Sequence, residues 1–331
     1  MNKTELIKEV LAGKAVKTVP FSFWCHYPKI DHDPKALAQQ TYANFQDFDL
    51  DYVKTLNSGM YAIEDYGATI DYQPVMEGGV AELVASPIQN AADWANLAEL
   101  DVTAPALNRE LNYLSQLLDL IEGKAPVIMT IFSPLTTAYK LSGGQVLNHI
   151  QAGQGDLVRK ALDKIAHSTA LLAQEAVKRG ASGVYFASQL ADQNKTTESL
   201  YRDYGLPYDL KALQGAKDGW FNVLHLHGDH IMPNLFKDYP TQVINWHIGE
   251  SEPSLAQGLA DYSQTIMGGL QRMTITHDQK EAIDQQIESA ISQSGGRGLL
   301  LSPGCGIRLP FKAETIRYIQ ERKAHYEDIY L

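Results

Sequence analysis

The feature that most limits how this chain can fold is its rhythm. Eight short stretches of apolar, strand-forming residues recur from end to end, separated by segments of helical period. The stretches are Thr18 to Trp24, Tyr52 to Asn57, Pro126 to Phe132, Gly183 to Ala187, Phe221 to Leu226, Gln242 to Trp246, Thr265 to Gly268 and Leu299 to Ser302. Between them, Pro34 to Phe48, Leu107 to Ile121, Asp156 to Arg179, Ser254 to Ser263 and Asp278 to Ser294 read as amphipathic helices, several opened by Ser, Asp or Pro. Strands separated by helices pair in parallel through right-handed crossovers. Eight such units predict an α/β fold, a single (β/α)8 TIM barrel over residues 1–331, with a doubly wound open sheet as the alternative. Met1 to Val10 reads as an N-terminal helix, and the Gly- and Pro-rich segment 61–105 as an inserted hairpin capping one end.

In such barrels, chemistry is placed at the C-terminal ends of the strands. Here the first strand ends in Trp24-Cys25-His26-Tyr27, the fourth in Ser188-Gln189 and the fifth in His225-Leu226-His227-Gly228-Asp229-His230. The sixth ends in Asn245-Trp246-His247, and the eighth in Pro303-Gly304-Cys305-Gly306. Five of the ten histidines and both cysteines fall at these ends, whereas His149, His167, His277 and His325 lie on helical segments and are expected to face solvent.

Alternate residues of a strand share a face, so His225 and His227 stand about 6 to 7 Å apart along the backbone on one side. With Cys305 they make a donor set of two nitrogens and one sulfur, which suits a catalytic zinc with an open position. Cys25 is open to several readings: ligand in place of Cys305, fourth ligand, disulfide partner, reactive thiol or buried filler. His247 and Asp229 are candidates for acid/base work or for orienting a ligating imidazole, with His26 as a further catalytic candidate. Trp24, Tyr27, Gln189, Asn245 and Trp246 are candidate substrate contacts. No phosphate-cradling loop or dinucleotide fingerprint follows a strand, which argues against ATP and NAD. A net charge of −11 without a Lys/Arg cluster argues against nucleic acid. No apolar run approaches the ~20 residues of a membrane span, and a cytoplasmic protein is expected.

Several segments together resemble the uroporphyrinogen decarboxylase superfamily, which includes zinc-dependent cobamide:thiol methyltransferases. They are PVIMTIFSPLTTAYKLSGG (Pro126 to Gly144), KRGASGVYFAS (Lys178 to Ser188), the pair Asn245-Trp246 where the family has Asp-Trp, and LLLSPGCGI (Leu299 to Ile307). The resemblance implies a (β/α)8 barrel. True decarboxylases carry an Arg-rich segment after the first strand and Gly-His-Gly after the eighth; here these read FWCHYPK and Gly304-Cys305-Gly306. The methyltransferase branch holds zinc with His-x-Cys after the fifth strand and Cys after the eighth, matched here by His225 and Cys305, with His227 in place of the first Cys. The resemblance therefore implies a zinc-dependent methyl or one-carbon transferase acting on a small molecule through an activated thiol or water. A corrinoid on a partner protein would be the methyl donor, and a homodimer is the implied assembly. A cofactor-free carboxylic-acid decarboxylase, and a non-catalytic corrinoid- or tetrapyrrole-binding barrel, are the alternatives.

Overall fold

The computed structural model describes residues 1–76 and 80–331. Its strands are β1 (Val53–Lys54), β2 (Thr69–Asp71), β3 (Glu82–Ala85), β4 (Val127–Phe132), β5 (Gly183–Ser188), β6 (Val223–Leu226), β7 (Val243–Asn245), β8 (Thr265–Leu270) and β9 (Leu299–Pro303). Seven form one parallel sheet in the order β1-β4-β5-β6-β7-β8-β9. These strands read as unbroken apolar runs because helices cover one face and the other face lines the interior. Every residue of β4, β5, β6 and β9 is buried.

The expected first strand, Thr18 to Trp24, departs from the regular pattern. It joins the sheet only through isolated parallel bridges, Phe21 to Leu301 and Cys25 to Ile307. Pro20 has no N–H to give to a ladder, which interrupts regular pairing there. The segment nonetheless spans the gap between the two edge strands. Leu301 N donates to Pro20 O (2.8 Å) on the β9 side, and Asp51 N donates to Phe21 O (3.0 Å) just before β1.

The helices follow their start signals. Asp33 caps Pro34–Asp47 by accepting from the Lys35 and Ala36 amides, and Ser254 opens Leu255–Asp261 with a capping box closed by Gln257. The N-terminal helix is Lys3–Leu11, and the other long helices are Pro105–Ile121, Gly155–Lys178, Lys280–Ser294 and Ala313–Tyr330. The expected hairpin in 61–105 is the antiparallel pair β2 and β3; residues 77–79 of that segment lie outside the described residues. One contiguous apolar core runs from Ile7 to Tyr326. Among the described residues no helix is long and apolar enough to cross a membrane.

A buried carboxylate ties two helices beneath the end of β5. Asp209 is fully buried, and its Oδ2 accepts from Tyr201 Oη (2.6 Å) and Tyr239 Oη (2.9 Å), while Tyr201 Oη also meets Ser188 Oγ (2.7 Å). Burial pushes this carboxyl up to about 7. The folded state therefore holds a proton that the unfolded chain releases near pH 4, and this stabilisation is lost as pH rises through about 7. From pH 5 to 8 the wild type is expected to lose about 1 to 3 kcal/mol relative to Asp209→Asn, read from urea midpoints. Parallel pH profiles would contradict it.

Candidate metal centre

The C-terminal ends of β6, β7 and β9 bring four side chains to one point. His225 and His227 leave β6 two residues apart on one face; His247 follows Asn245 of β7 at the same spacing, and Cys305 follows β9. One ligand atom from each residue lies within 4.8 Å of all the others. Ring centroids are 4.8 Å apart for His227 and His247, 5.6 Å for His225 and His227, and 5.9 Å for His225 and His247. Cys305 Sγ stands 3.9 Å from His227 Nδ1. Gly304 permits this convergence: a Cβ there would meet Trp246 O at 2.6 Å and His247 Cα at 2.7 Å, so any side chain would push the β9 turn away from β7.

His225 is held in one tautomer. Asn245 Nδ2 donates to Met267 O (2.7 Å), which leaves Asn245 Oδ1 as an acceptor for Tyr185 Oη (2.7 Å) and His225 Nδ1 (2.5 Å). His225 Nδ1 must therefore carry the proton, and Nε2 is left with the free lone pair. The Tyr185 ring stacks on His225 with centroids 5.1 Å apart.

The three imidazoles are neutral at pH 7. Burial, then His227 and His247, holds His225 well below the ordinary range. Burial, then His247 and Lys195, takes His227 to about 3; burial, then Arg272, takes His247 to about 4. His247 is 3% exposed, and neither ring nitrogen has a hydrogen-bond partner among the described residues, with Glu250 Oε2 3.8 Å from Nδ1. Leaving a buried polar atom unpaired costs about 1 to 3 kcal/mol, which a shared cation would offset. Three nitrogens and a thiolate suit zinc, whose tetrahedral bonds of about 2.0 to 2.3 Å set donors roughly 3.3 to 3.8 Å apart. The observed spacing reaches that range with side-chain shifts of about 1 Å.

The remaining sequence candidates are scattered around this point. Cys25 is not among the four; it is fully buried, both cysteines are free thiols, and burial pushes Cys25 up to about 11. His26 is exposed beside the Cys305 turn, 3.6 Å from where a Gly306 Cβ would stand. Trp24 is buried edge-on to Tyr185, 5.6 Å between centroids. Tyr27 turns toward the helix Pro34–Asp47, where its hydroxyl pairs with Asn44.

Gln189 is half-buried, its backbone N–H donating to Thr136 Oγ1 (2.9 Å). Asn245 is fully buried and committed to His225, while Trp246 points the other way from the strand, donating to Pro253 O (2.9 Å). Asp229 and His230 are exposed, and Asp229 counts for the centre through its charge on His247. Of the four helical histidines, His167, His277 and His325 are exposed as expected; His149 is half-buried because it accepts from Trp94 Nε1 (3.0 Å).

Two residues at the centre escaped the sequence reading. Tyr185 sits mid-strand in an apolar run and looks like core. Lys54 is a charged residue at an interior strand position, and that oddity was the available signal.

The fold and cluster define a class: parallel α/β proteins whose strand ends converge on imidazole and thiol side chains. Within that class, the sequence model described as Uroporphyrinogen decarboxylase (URO-D) matches residues 3–325, and the chain belongs to this family. No curated protein matches the chain. Among solved structures it is similar to a methyltransferase from Methanosarcina mazei, with 16% identity, TM-score 0.82, and 98% of this chain and 99% of that one covered. It also resembles a B12-independent methionine synthase from Shewanella sp. W3-18-1 in complex with selenomethionine, at 14% identity and TM-score 0.56, covering 97% and 98% of the two chains. At these identities the likeness is one of fold.

The hydrogen bond to Asn245 gives a test of the tautomer argument. Asn245→Leu is expected to weaken zinc binding about 10- to 100-fold in a chelator competition while the far-UV spectrum is kept. An unchanged affinity would mean that Asn245 does not orient His225.

Proposed function

We propose that this protein is a zinc-dependent methyl or one-carbon transferase of the URO-D family, acting through an activated thiol or water. The observation that carries the reading is the meeting of His225, His227, His247 and Cys305 within 4.8 Å, with the His247 nitrogens otherwise unpartnered. His247, read from sequence as an acid/base residue, takes a ligand's place in this proposal.

A zinc ion bound there supplies Lewis acidity, lowering the pKa of a thiol or water so that it is a nucleophile at neutral pH. The chain's own residues do the rest. Asn245 and Tyr185 hold the His225 Nε2 lone pair toward the centre, and Trp24 and Tyr185 wall it against solvent. His26 and Gln189 stand at the mouth, where a substrate enters.

In the same proposal the protein is one cytoplasmic domain, with the segment 20–25 completing a (β/α)8 barrel between β9 and β1. It works as a homodimer and takes its methyl group from a corrinoid carried by a partner protein. Decarboxylation of a porphyrinogen or other acid draws on family membership alone, as does non-catalytic tetrapyrrole binding.

Elemental analysis of purified protein is expected to find about one zinc per chain, falling at least about tenfold in His227→Ala and in Cys305→Ala with the fold intact. Zinc absent from the wild type, or retained in both variants, would overturn the reading. Incubation with a methylated corrinoid and a thiol, beside uroporphyrinogen III, separates transfer from decarboxylation: a thioether product is expected and coproporphyrinogen is not.

A further inference from the structure

His247 lacks the support that His225 receives. Asn245 orients His225, whereas both nitrogens of His247 are buried with no hydrogen-bond partner among the described residues. The nearest charged group is a carboxylate, Glu250 Oε2, 3.8 Å from His247 Nδ1. The same oxygen stands 4.0 Å from Arg272 Nε, which is also buried without a hydrogen-bond partner. Two orphaned polar groups from different strand ends thus flank one acceptor.

The chain is folded so as to put Glu250 there. Glu250 N and Ser251 N both donate to His247 O (2.9 Å each), a tight turn that doubles the backbone over the imidazole. Gly249 lets the loop after β8 press against this turn: it takes φ +83°, and a Cβ there would meet Gln271 Nε2 at 2.5 Å. Gln271 Nε2 instead donates to Gly249 O (3.0 Å), which sets the next residue, Arg272, alongside Glu250. Two strand-end loops are pinned together at this point.

Electrostatics then fixes which nitrogen of His247 carries the proton. An ionised carboxylate only accepts, so a ring nitrogen facing it is favoured as N–H and repelled as a lone pair. In the neutral ring the proton therefore sits on Nδ1, and the Nε2 lone pair is left for the centre. Asn245 imposes the same polarity on His225. Both contacts to Glu250 exceed hydrogen-bond length, and a side-chain movement of about 1 Å toward Nδ1 closes the first of them.

We propose that Glu250 is the positioning residue of His247, accepting from its Nδ1–H, and that Arg272 holds the carboxylate in place from the other side. A carboxylate behind a ligating imidazole fixes the ring and makes it a stronger donor to the ion. The effect on a metal rests on the zinc reading above; the tautomer of His247 does not.

Two measurements on the full chain test this. In metal-free protein labelled with 15N-histidine, long-range proton–nitrogen correlation is expected to show His247 as the Nδ1–H tautomer, kept in Glu250→Gln, whose amide oxygen still accepts, and lost in Glu250→Ala. In a chelator competition, zinc affinity is expected to fall about 10- to 100-fold in Glu250→Ala, to stay within about threefold of wild type in Glu250→Gln, and to be unchanged in Glu252→Ala, an exposed carboxylate of the same loop. Arg272→Met is expected to weaken zinc binding at least about threefold, and an unchanged affinity would remove Arg272 from the arrangement. An Nε2–H tautomer in the wild type would overturn the proposal, and that spectrum decides alone should a variant fail to fold. A tautomer and affinity that both survive in Glu250→Ala would overturn it as well. An Nδ1–H tautomer that depends on Glu250, in protein that takes up no zinc, would keep the positioning role and remove the metal reading.

Discussion

The arrangement at the mouth depends on one buried hydrogen bond, His225 Nδ1 to Asn245 Oδ1. Asn245 cannot turn over, because its Nδ2 is engaged with the Met267 carbonyl on β8, and its Oδ1 also serves the Tyr185 hydroxyl on β5. A side chain on β7 thus locks an imidazole on β6 through contacts to the strands on either side. The parallel register sets Ala187, His225, Asn245 and Met267 side by side, so the lock follows from strand pairing rather than from loop conformation. A site built on strands in this way is held more rigidly than one built on loops.

The second constraint is the close approach at Gly304. Cys305 is one residue further on, so the absence of a side chain at 304 lets the thiol lean across β7 toward His227 and His247. The Gly-Cys-Gly turn is legible in sequence as a flexible turn, but its reason for being glycine is a steric contact with a strand some sixty residues earlier, visible only in three dimensions.

Much of the architecture was readable from periodicity. Seven of the eight strand-like stretches form the parallel sheet, because unbroken apolar runs between helices have few other ways to satisfy their backbone groups. The eighth, Thr18 to Trp24, kept its place but lost its regularity to Pro20. At the centre, His225, His227 and Cys305 were legible because alternation and strand-end placement are local rules. His247 was found but given another role, since its distance from the other donors depends on the curl of the sheet.

Cys25 was beyond sequence to decide: one residue either way reverses which face a strand side chain takes, and here it faces the helix layer with Tyr27. Lys54 was missed because a single lysine in an apolar strand reads as an edge residue until burial shows it inside.

These features combine into a centre whose imidazoles are neutral, with His225 and His247 buried and His227 and Cys305 half-buried, in an otherwise acidic protein. Neutral imidazoles leave lone pairs free for a metal at physiological pH, and a donor set richer in nitrogen than sulfur leaves the centre more positive than a thiolate-rich one. Zinc K-edge absorption on the zinc-loaded protein measures that donor set directly. Three nitrogen scatterers at about 2.0 to 2.1 Å and one sulfur at about 2.3 Å are expected. A shell of oxygen alone, or two sulfurs, would contradict a centre built from His225, His227, His247 and Cys305.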